Sequence, residues 1–302
     1  MPELPDVLLY IEALKPRIVN QPLERVRLAS PFVLRSVTPP ISALNGQTAI
    51  GIRRLGKQIV FEFADHLFLV IHLMIAGRFQ WKERGAGIPG KLGLAAFDFP
   101  GGTLLLTEAG SKKRASIRVV RGEQDLAAFD RRALEVLDST VEEFKTELTR
   151  ENHTLKRSLT DPRLFSGIGN AYSDEILHRA RLSPMKLTLK MTESEITRLH
   201  SAVKSTLSEW IDRLQAEAGA EFPSKVTAFR PEMAVHGRYG KPCPVCGSPV
   251  QRIVYAENEC NYCATCQTEG RLLADRALSR LLKQDWPRSL DEWEMHLDTR
   301  RE

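Results

Sequence analysis

The sequence predicts a multidomain α+β protein, and three observations carry that prediction. Short apolar runs separated by Pro- and Gly-rich breaks fill residues 23–121, helical text follows from about residue 130, and two close cysteine pairs stand at 243–266. At 302 residues the chain is long enough for two or three small cores. The expected divisions are a strand-rich domain with a leading helix (1–130), a helical domain (131–235), a cysteine module (236–270) and a helical extension (271–302).

The leading helix is expected to begin at Pro5, because proline suits the first helical position and Asp6 favours the positive end of the helix dipole. Val7, Leu8, Ile11 and Leu14 then make one apolar stripe. Strands are expected at Gln58–Phe63, Leu67–Leu73, Leu92–Phe99, Thr103–Leu106 and Ser116–Val120, with Gly85–Gly90 and Pro100–Gly102 as breaks. Runs of this kind suit a two-sheet sandwich or barrel. Farther on, Thr192 and Glu195 form a capping box at the head of a long helix that buries Ile196, Leu199, Val203, Leu207, Ile211 and Leu214. Gly219–Tyr239 reads as a loop, and Leu272, Leu273, Leu278, Leu281 and Leu282 suggest an amphipathic tail.

Apolar residues make up 42% and charged residues 27%, ordinary values for a globular protein. No apolar run approaches the roughly 18 residues of a membrane span. The opening segment carries acids where a secretory signal carries lysines, so the expected location is the cytoplasm, with the nucleoid. The net charge of +5 suits a polyanionic partner, and Lys112, Lys113, Arg114, Arg118 and Arg121 cluster after Glu108. By charge alone that cluster reads equally well as a solvated hairpin.

Cys243-Pro-Val-Cys246 and Cys263-Ala-Thr-Cys266 are two knuckles sixteen residues apart. Such spacing lets four thiolates converge on one tetrahedral metal, and zinc is the default occupant of a four-thiolate site. With no position left for water, the expected cofactor is one structural zinc ion. Cys260 reads as a packed or free thiol.

The opening Met-Pro-Glu-Leu-Pro-Asp-Val admits two readings. Pro2 and Pro5 can simply shape a helix start, with Glu3 on its dipole. Alternatively, removal of Met1 exposes a secondary amine that is unprotonated at neutral pH roughly several hundredfold more often than lysine. Condensed with a sugar aldehyde carbon, that amine gives a cationic iminium, an electron sink for elimination. Glu3 would then shuttle protons beside it.

Taken together, MPELPDV, Arg54-Leu-Gly-Lys57, the segment from His72 through Gly77-Arg78, Gly167-Ile-Gly-Asn170 and the four-cysteine finger occur in an order that resembles the formamidopyrimidine-DNA glycosylase/endonuclease VIII family. The resemblance spans about residues 2–267. It implies an N-terminal β-sandwich, a helix–two-turn–helix domain and a C-terminal zinc finger, with damaged double-stranded DNA bound by a monomer in the cleft between the halves. It further implies Pro2 as Schiff-base nucleophile, Glu3 as general acid/base and Lys57 as a phosphate contact that assists β-elimination. Arg78, His72, Arg114, Lys156, Gly169, Asn170 and Asn258 are the expected DNA contacts, and Glu175 matches an acid near the nucleophile, unless it is a surface carboxylate.

The chain departs from the family pattern at four places. Asp6 and Leu8 stand where the family has acids, and Ile75, beside Met74, stands where it has a wedge methionine. Glu108–Ala115 replaces the loop that supplies wedge arginine and phenylalanine, so that either Met74 and Arg114 substitute or bases already poorly paired are favoured. Asn258 takes the place of the finger arginine, with Arg252 and Arg271 nearby. Phe222–Pro231 replaces a glycine-rich loop, and the tail is longer. The function expected is a bifunctional glycosylase/AP lyase of base-excision repair, acting on 8-oxoguanine and formamidopyrimidine lesions. The alternatives are the same chemistry on oxidised pyrimidines or hydantoins, and a non-catalytic damaged-DNA-binding zinc protein.

Overall fold

The computed structural model describes residues 1–110, 112–223, 226–255 and 258–273, together with Ser289 and Glu292. The expected tail over 271–302 therefore lies almost wholly outside the described residues, as does most of its leucine stripe. The chain divides into two compact units: Met1–Ala133 with Glu209–Ala228, and Leu134–Ser208 with the chain from Phe229 onward.

In the first unit, helix α1 (Leu4–Ile18) begins with proline in its first turn, and the Glu3 backbone N–H donates to Asp6 Oδ2 at 3.0 Å. Asp6 thereby satisfies a donor that helix geometry leaves without a partner, which is why the helix starts here. Val7, Ile11 and Leu14 are buried as the stripe predicts, joined by Leu4, Tyr10 and Ile18, while Leu8 is half-buried.

Nine strands follow: β1 (Pro22–Leu23), β2 (Arg25–Leu28), β3 (Gln47–Leu55), β4 (Gln58–Phe63), β5 (Leu67–His72), β6 (Gly77–Lys82), β7 (Gly93–Phe99), β8 (Gly102–Glu108) and β9 (Ser116–Arg121). They form a five-stranded sheet in the order β1-β3-β4-β5-β9 and a four-stranded sheet in the order β2-β7-β8-β6. The pairs are antiparallel throughout, the β-sandwich the sequence implied. Phe61 and Phe97 stack across its core at 6.5 Å, and Tyr10 of α1 meets Phe79 edge-on at 5.4 Å. The other face of the five-stranded sheet is buried too: Val60, Phe68, Val70 and Val120 pack with Leu126 of the short helix α2 (Glu123–Ala127).

The second unit contains α3 (Val141–Thr149), α4 (Leu155–Thr160), α5 (Asn170–Arg179), the first part of α6 (Glu193–Ala218), the hairpin β10 (Val250–Tyr255)–β11 (Asn258–Cys263) and α7 (Ala264–Thr268). Thr192 and Glu195 make the expected capping box of α6: the Glu195 N–H donates to Thr192 Oγ1 at 3.3 Å, and the Thr192 N–H to Glu195 Oε2 at 2.9 Å. Ile196, Leu199, Val203, Leu207 and Leu214 are buried, whereas Ile211 is half-buried.

The back half of α6 and the following segment belong with the sandwich, because Phe222 packs against Tyr10 at 6.0 Å, Trp81 at 6.4 Å and the Arg17 guanidinium at 5.7 Å. The cysteine module is not set apart from the helices, because α5 is hydrogen-bonded to it along its length. Among the described residues, no helix is long and apolar enough to cross a membrane.

Candidate functional site

Two groups of residues carry chemistry, one in each unit. In the first unit, Pro2 and Glu3 are buried at the head of α1. The chain's terminal amine, on Met1, has its pKa lowered by burial, opposed by Glu3 and assisted by Arg78; Asp6 raises it and Lys57 lowers it. The structure thus gathers Glu3, Lys57 and Arg78 around the chain start. Lys57 sits in the turn between β3 and β4, where Arg54 Nη1 donates to the Gly56 carbonyl at 2.7 Å and Gly56 adopts a φ of 61°.

His72, at the end of β5, has its pKa lowered to about 4, by burial first and then by Lys57, Arg118 and Arg131. It is neutral at pH 7, and its Nδ1 accepts the Met74 N–H at 3.2 Å, so its proton sits on Nε2. Arg78 donates through Nε to the Val226 carbonyl and through Nη1 to the carbonyls of Gly77 at 2.6 Å and Ile75 at 3.2 Å. It therefore staples the Leu73–Gly77 turn. Gly77 is obligatory there, since a Cβ would lie 2.1 Å from the Leu73 carbonyl oxygen, and Met74 adopts a φ of 53°. The outcome is an Ile75 side chain 52% exposed at the turn tip, while Met74 is only half-exposed. Exposure falls to Ile75 and not to Met74, which was the expected substitute wedge.

Arg114 is exposed in the loop that follows β8, and Glu108 shapes this loop. Glu108 Oε2 accepts the Arg114 N–H at 2.8 Å and the Ala115 N–H at 3.1 Å, and Lys113 Nζ donates to the Glu108 carbonyl.

In the second unit, α5 is buried along nearly all its length, including the polar Ser173, Asp174, Glu175 and His178. Lys156 of α4 sends its ammonium to the Asn170 carbonyl at 2.7 Å, Ser173 Oγ at 2.8 Å and Asp174 Oδ1 at 2.6 Å. A lysine has three donors, so all are used within the protein. Asp174 Oδ2 accepts from His236 Nδ1 at 2.8 Å and from the Asn261 N–H at 3.2 Å. Glu175 accepts the N–H groups of Ala234, Val235 and His236 at 2.7–2.9 Å. Burial pushes its carboxyl upward in pKa against those three donors, so Glu175 is a buried clamp and not a surface carboxylate. Gly169 is the N-cap of α5, and Asn170 Nδ2 donates to the Glu259 carbonyl at 2.9 Å on β11. Asn258 opens β11 opposite Tyr255, and its side chain lies outside the described residues. Arg252 lies over the Tyr239 ring at 4.3 Å and 3.5 Å from Glu259.

The sulfur atoms of Cys243, Cys246, Cys263 and Cys266 lie within 4.8 Å of one another, with Cys243–Cys266 at 3.9 Å and Cys246–Cys263 at 3.4 Å. A tetrahedral Zn–S distance of about 2.3 Å requires sulfurs about 3.8 Å apart, so the four cysteines fit a metal ion. Burial pushes the Cys266 thiol up to about 11 and Cys263 higher still, a condition that a bound cation reverses. His178 Nε2 stands 3.2 Å from Cys243 Sγ, placed to hydrogen-bond that sulfur from α5.

With this geometry in view, residues 1–137 match the formamidopyrimidine-DNA glycosylase N-terminal domain and residues 134–219 match the formamidopyrimidine-DNA glycosylase H2TH domain. The formamidopyrimidine-DNA glycosylase of Thermus thermophilus is 32% identical over 277 residues, covering 89% of this chain and all of that protein. The chain belongs to the formamidopyrimidine-DNA glycosylase family. A formamidopyrimidine-DNA glycosylase-like protein of Mycobacterium tuberculosis, itself uncharacterised, is 40% identical over 149 residues, 49% of this chain and 92% of its own. Among solved structures, the Thermus thermophilus family member aligns with a TM-score of 0.73 at 30% identity, over 88% of this chain and 98% of that one. The Lactococcus lactis family member, solved with DNA containing an abasic site, aligns with a TM-score of 0.77 at 26% identity, over 88% and 99%.

Sequence reasoning did not find Asp174, His236 or Asn261, nor the part His178 plays beside Cys243. The available signal was the Asp174-Glu175 pair directly before the apolar Ile176 and Leu177, but their partners lie far away in sequence.

Proposed function

We propose that this chain is a bifunctional DNA glycosylase and AP lyase of base-excision repair, acting as a monomer on oxidised bases in duplex DNA. Formamidopyrimidine and 8-oxoguanine lesions come first, and oxidised pyrimidines second. The observation that carries the proposal is the buried Pro2-Glu3 pair beside Arg78 and Lys57, whose charges, after burial, depress the chain-start amine against the opposing pull of Glu3 and Asp6. In this structure the Pro2 nitrogen is an amide; cleavage of the Met1–Pro2 bond converts it into the secondary amine that reacts.

That nitrogen attacks C1′ of the damaged nucleotide, and the C1′–base bond breaks with its electron pair leaving on the base. Glu3 takes up the proton that the Pro2 nitrogen loses on attack and delivers it to the sugar ring oxygen; the nitrogen lone pair expels that oxygen, the ring opens, and C1′ becomes an iminium on Pro2. Loss of a C2′ proton then expels the 3′ phosphate, with the electrons drawn toward the iminium nitrogen. Lys57 neutralises the phosphate charge at this step. Water releases the sugar fragment and regenerates the amine.

The four cysteines hold a structural zinc ion, which ties the β10–β11 hairpin to α7. In this reading Gly169, Asn170 and Arg114 meet phosphates. Lys156, with its three donors engaged, acts by fixing the first turn of α5. His72 is neutral, so it serves as an Nε2–H donor and not as a cation.

Borohydride reduction of the reaction mixture tests the proposal. The parent protein becomes covalently attached to a duplex containing 8-oxoguanine, and Pro2→Gly loses at least about 100-fold in trapping rate. Trapping at the parental rate by Pro2→Gly overturns the assignment.

A further inference from the structure

Four thiolates around one divalent cation leave a net charge of about −2, and in the second unit much of that charge lies where water does not reach it. Cys246 is exposed and Cys266 half-buried, but Cys263 is fully buried and Cys243 only 2% exposed. A buried thiolate needs hydrogen-bond donors from the protein. Cys243 Sγ has one from its own knuckle, the Val245 N–H at 3.5 Å. A second comes from 65 positions away: His178 Nε2, on the last turn of α5, at 3.2 Å. A thiolate accepts and does not donate, so with metal bound the ring proton sits on Nε2. His178 is not a fifth ligand, because among the described residues the ligand atoms that converge are the four sulfurs, and four thiolates complete the tetrahedron.

Packing alone does not account for an imidazole here. His178 is buried directly after the apolar Ile176 and Leu177, and a ring nitrogen costs free energy in such surroundings unless it is hydrogen-bonded. A phenyl ring would fill the space without that cost. The separation between ring and sulfur is fixed from both sides. On one side Glu175 accepts the N–H groups of residues 234–236, which hold α5 against the chain that leads into the first knuckle. On the other, Gln267 accepts the Cys263 N–H and donates to the Leu182 carbonyl, both at 2.9 Å, and so ties the second knuckle to the turn after α5. We infer that His178 is a positioning residue of the metal centre: its Nε2–H bonds the Cys243 thiolate, retains the metal and makes it a staple between α5 and the cysteine module. The inference rests on the reading of the four cysteines as a zinc site and is independent of the Pro2 chemistry.

The test uses the full chain and three replacements. His178→Phe and His178→Leu remove the donor, and His178→Gln keeps one, since its amide nitrogen extends about as far as Nε2. Zinc affinity, measured by competition with a chromophoric chelator, is expected to fall about 10- to 100-fold in His178→Phe and to stay near the parental value in His178→Gln. Where His178→Phe does not fold, His178→Leu is read in its place. Cobalt(II) in place of zinc gives a readout that a space-filling role would not move. A hydrogen bond draws electron density from sulfur, so its loss shifts the sulfur-to-cobalt charge-transfer band to lower energy, while the d–d bands keep their tetrahedral pattern. His178→Gln keeps the parental band. Parental affinity with an unmoved band in His178→Phe and His178→Leu overturns the inference. So does an equal loss of affinity in all three replacements with the band unmoved, which marks the imidazole as packing. If the parent itself binds neither zinc nor cobalt, the metal reading falls together with the role of His178.

Discussion

The chain-start region of the first unit and the α5–cysteine region of the second are both rich in charged side chains, and they use them in opposite ways. Around Pro2, the holding is done by helix ends and carbonyls: Asp6 caps α1, and Arg78 staples the turn that carries Ile75. Two groups there are displaced from their ordinary values: the amine is lowered and His72 is brought to about 4. Around Asp174, carboxylates, an ammonium and an imidazole are paired with one another until their donors and acceptors are used up. A depressed amine at a buried chain start marks chemistry, whereas carboxylates, an ammonium and an imidazole held by one another mark a frame.

The frame is where substitutions should cost most. Cys263→Ser removes a metal ligand and much of a binding free energy on the order of 10 kcal/mol. Metal analysis should give about one zinc per parent chain and well below one for the variant, and the second unit's thermal transition should vanish. A variant that melts like the parent would show that the cysteines are not what holds this unit.

Asp174→Ala comes next, because it strands the partly buried Lys156 ammonium and the buried His236 imidazole. A loss of about 3–5 kcal/mol in denaturant unfolding is expected. Lyase activity on an abasic duplex at low temperature should survive in the fraction that remains folded. If activity were abolished while stability was unchanged, Asp174 would belong to the chemistry and the contrast between the regions would break.

The smallest effect concerns pH. The folded His72 pKa of about 4 lies below the unfolded value near 6.5, so the folded state resists the proton. Stability is therefore undiminished above pH 6.5 and is lost as pH falls from 6.5 toward 4, at up to about 1.4 kcal/mol per pH unit. His72→Gln should lack that component, so the difference between the two proteins' urea midpoints should shrink across this window. A pH-independent difference would mean that His72 is solvated.

The strands with unbroken apolar text were legible, and Gln58–Phe63 was read to the residue. Strand β3 was not, because only Ala49 in it is fully buried and the others offer no alternation. β6 escaped because it opens at the Gly77 turn. The catalytic candidates Pro2, Glu3 and Lys57 were legible as a family pattern, and the cysteine cluster by its spacing. The Asp174–Glu175 clamp was not, since its partners on residues 234–236 and 261 lie 59 to 87 positions away. Nothing local distinguishes a buried, fully paired carboxylate from a solvated one. Nor could the sequence say that Ile75, not Met74, stands out from its turn, because that depends on the left-handed backbone at Met74 and the close approach at Gly77.

Peptide mapping of the borohydride-reduced complex tests the central claim most directly. The account predicts a mature chain lacking Met1, with the reduced sugar adduct on the nitrogen of Pro2. An adduct on a lysine side chain, or trapping by a chain that still carries Met1, would contradict it.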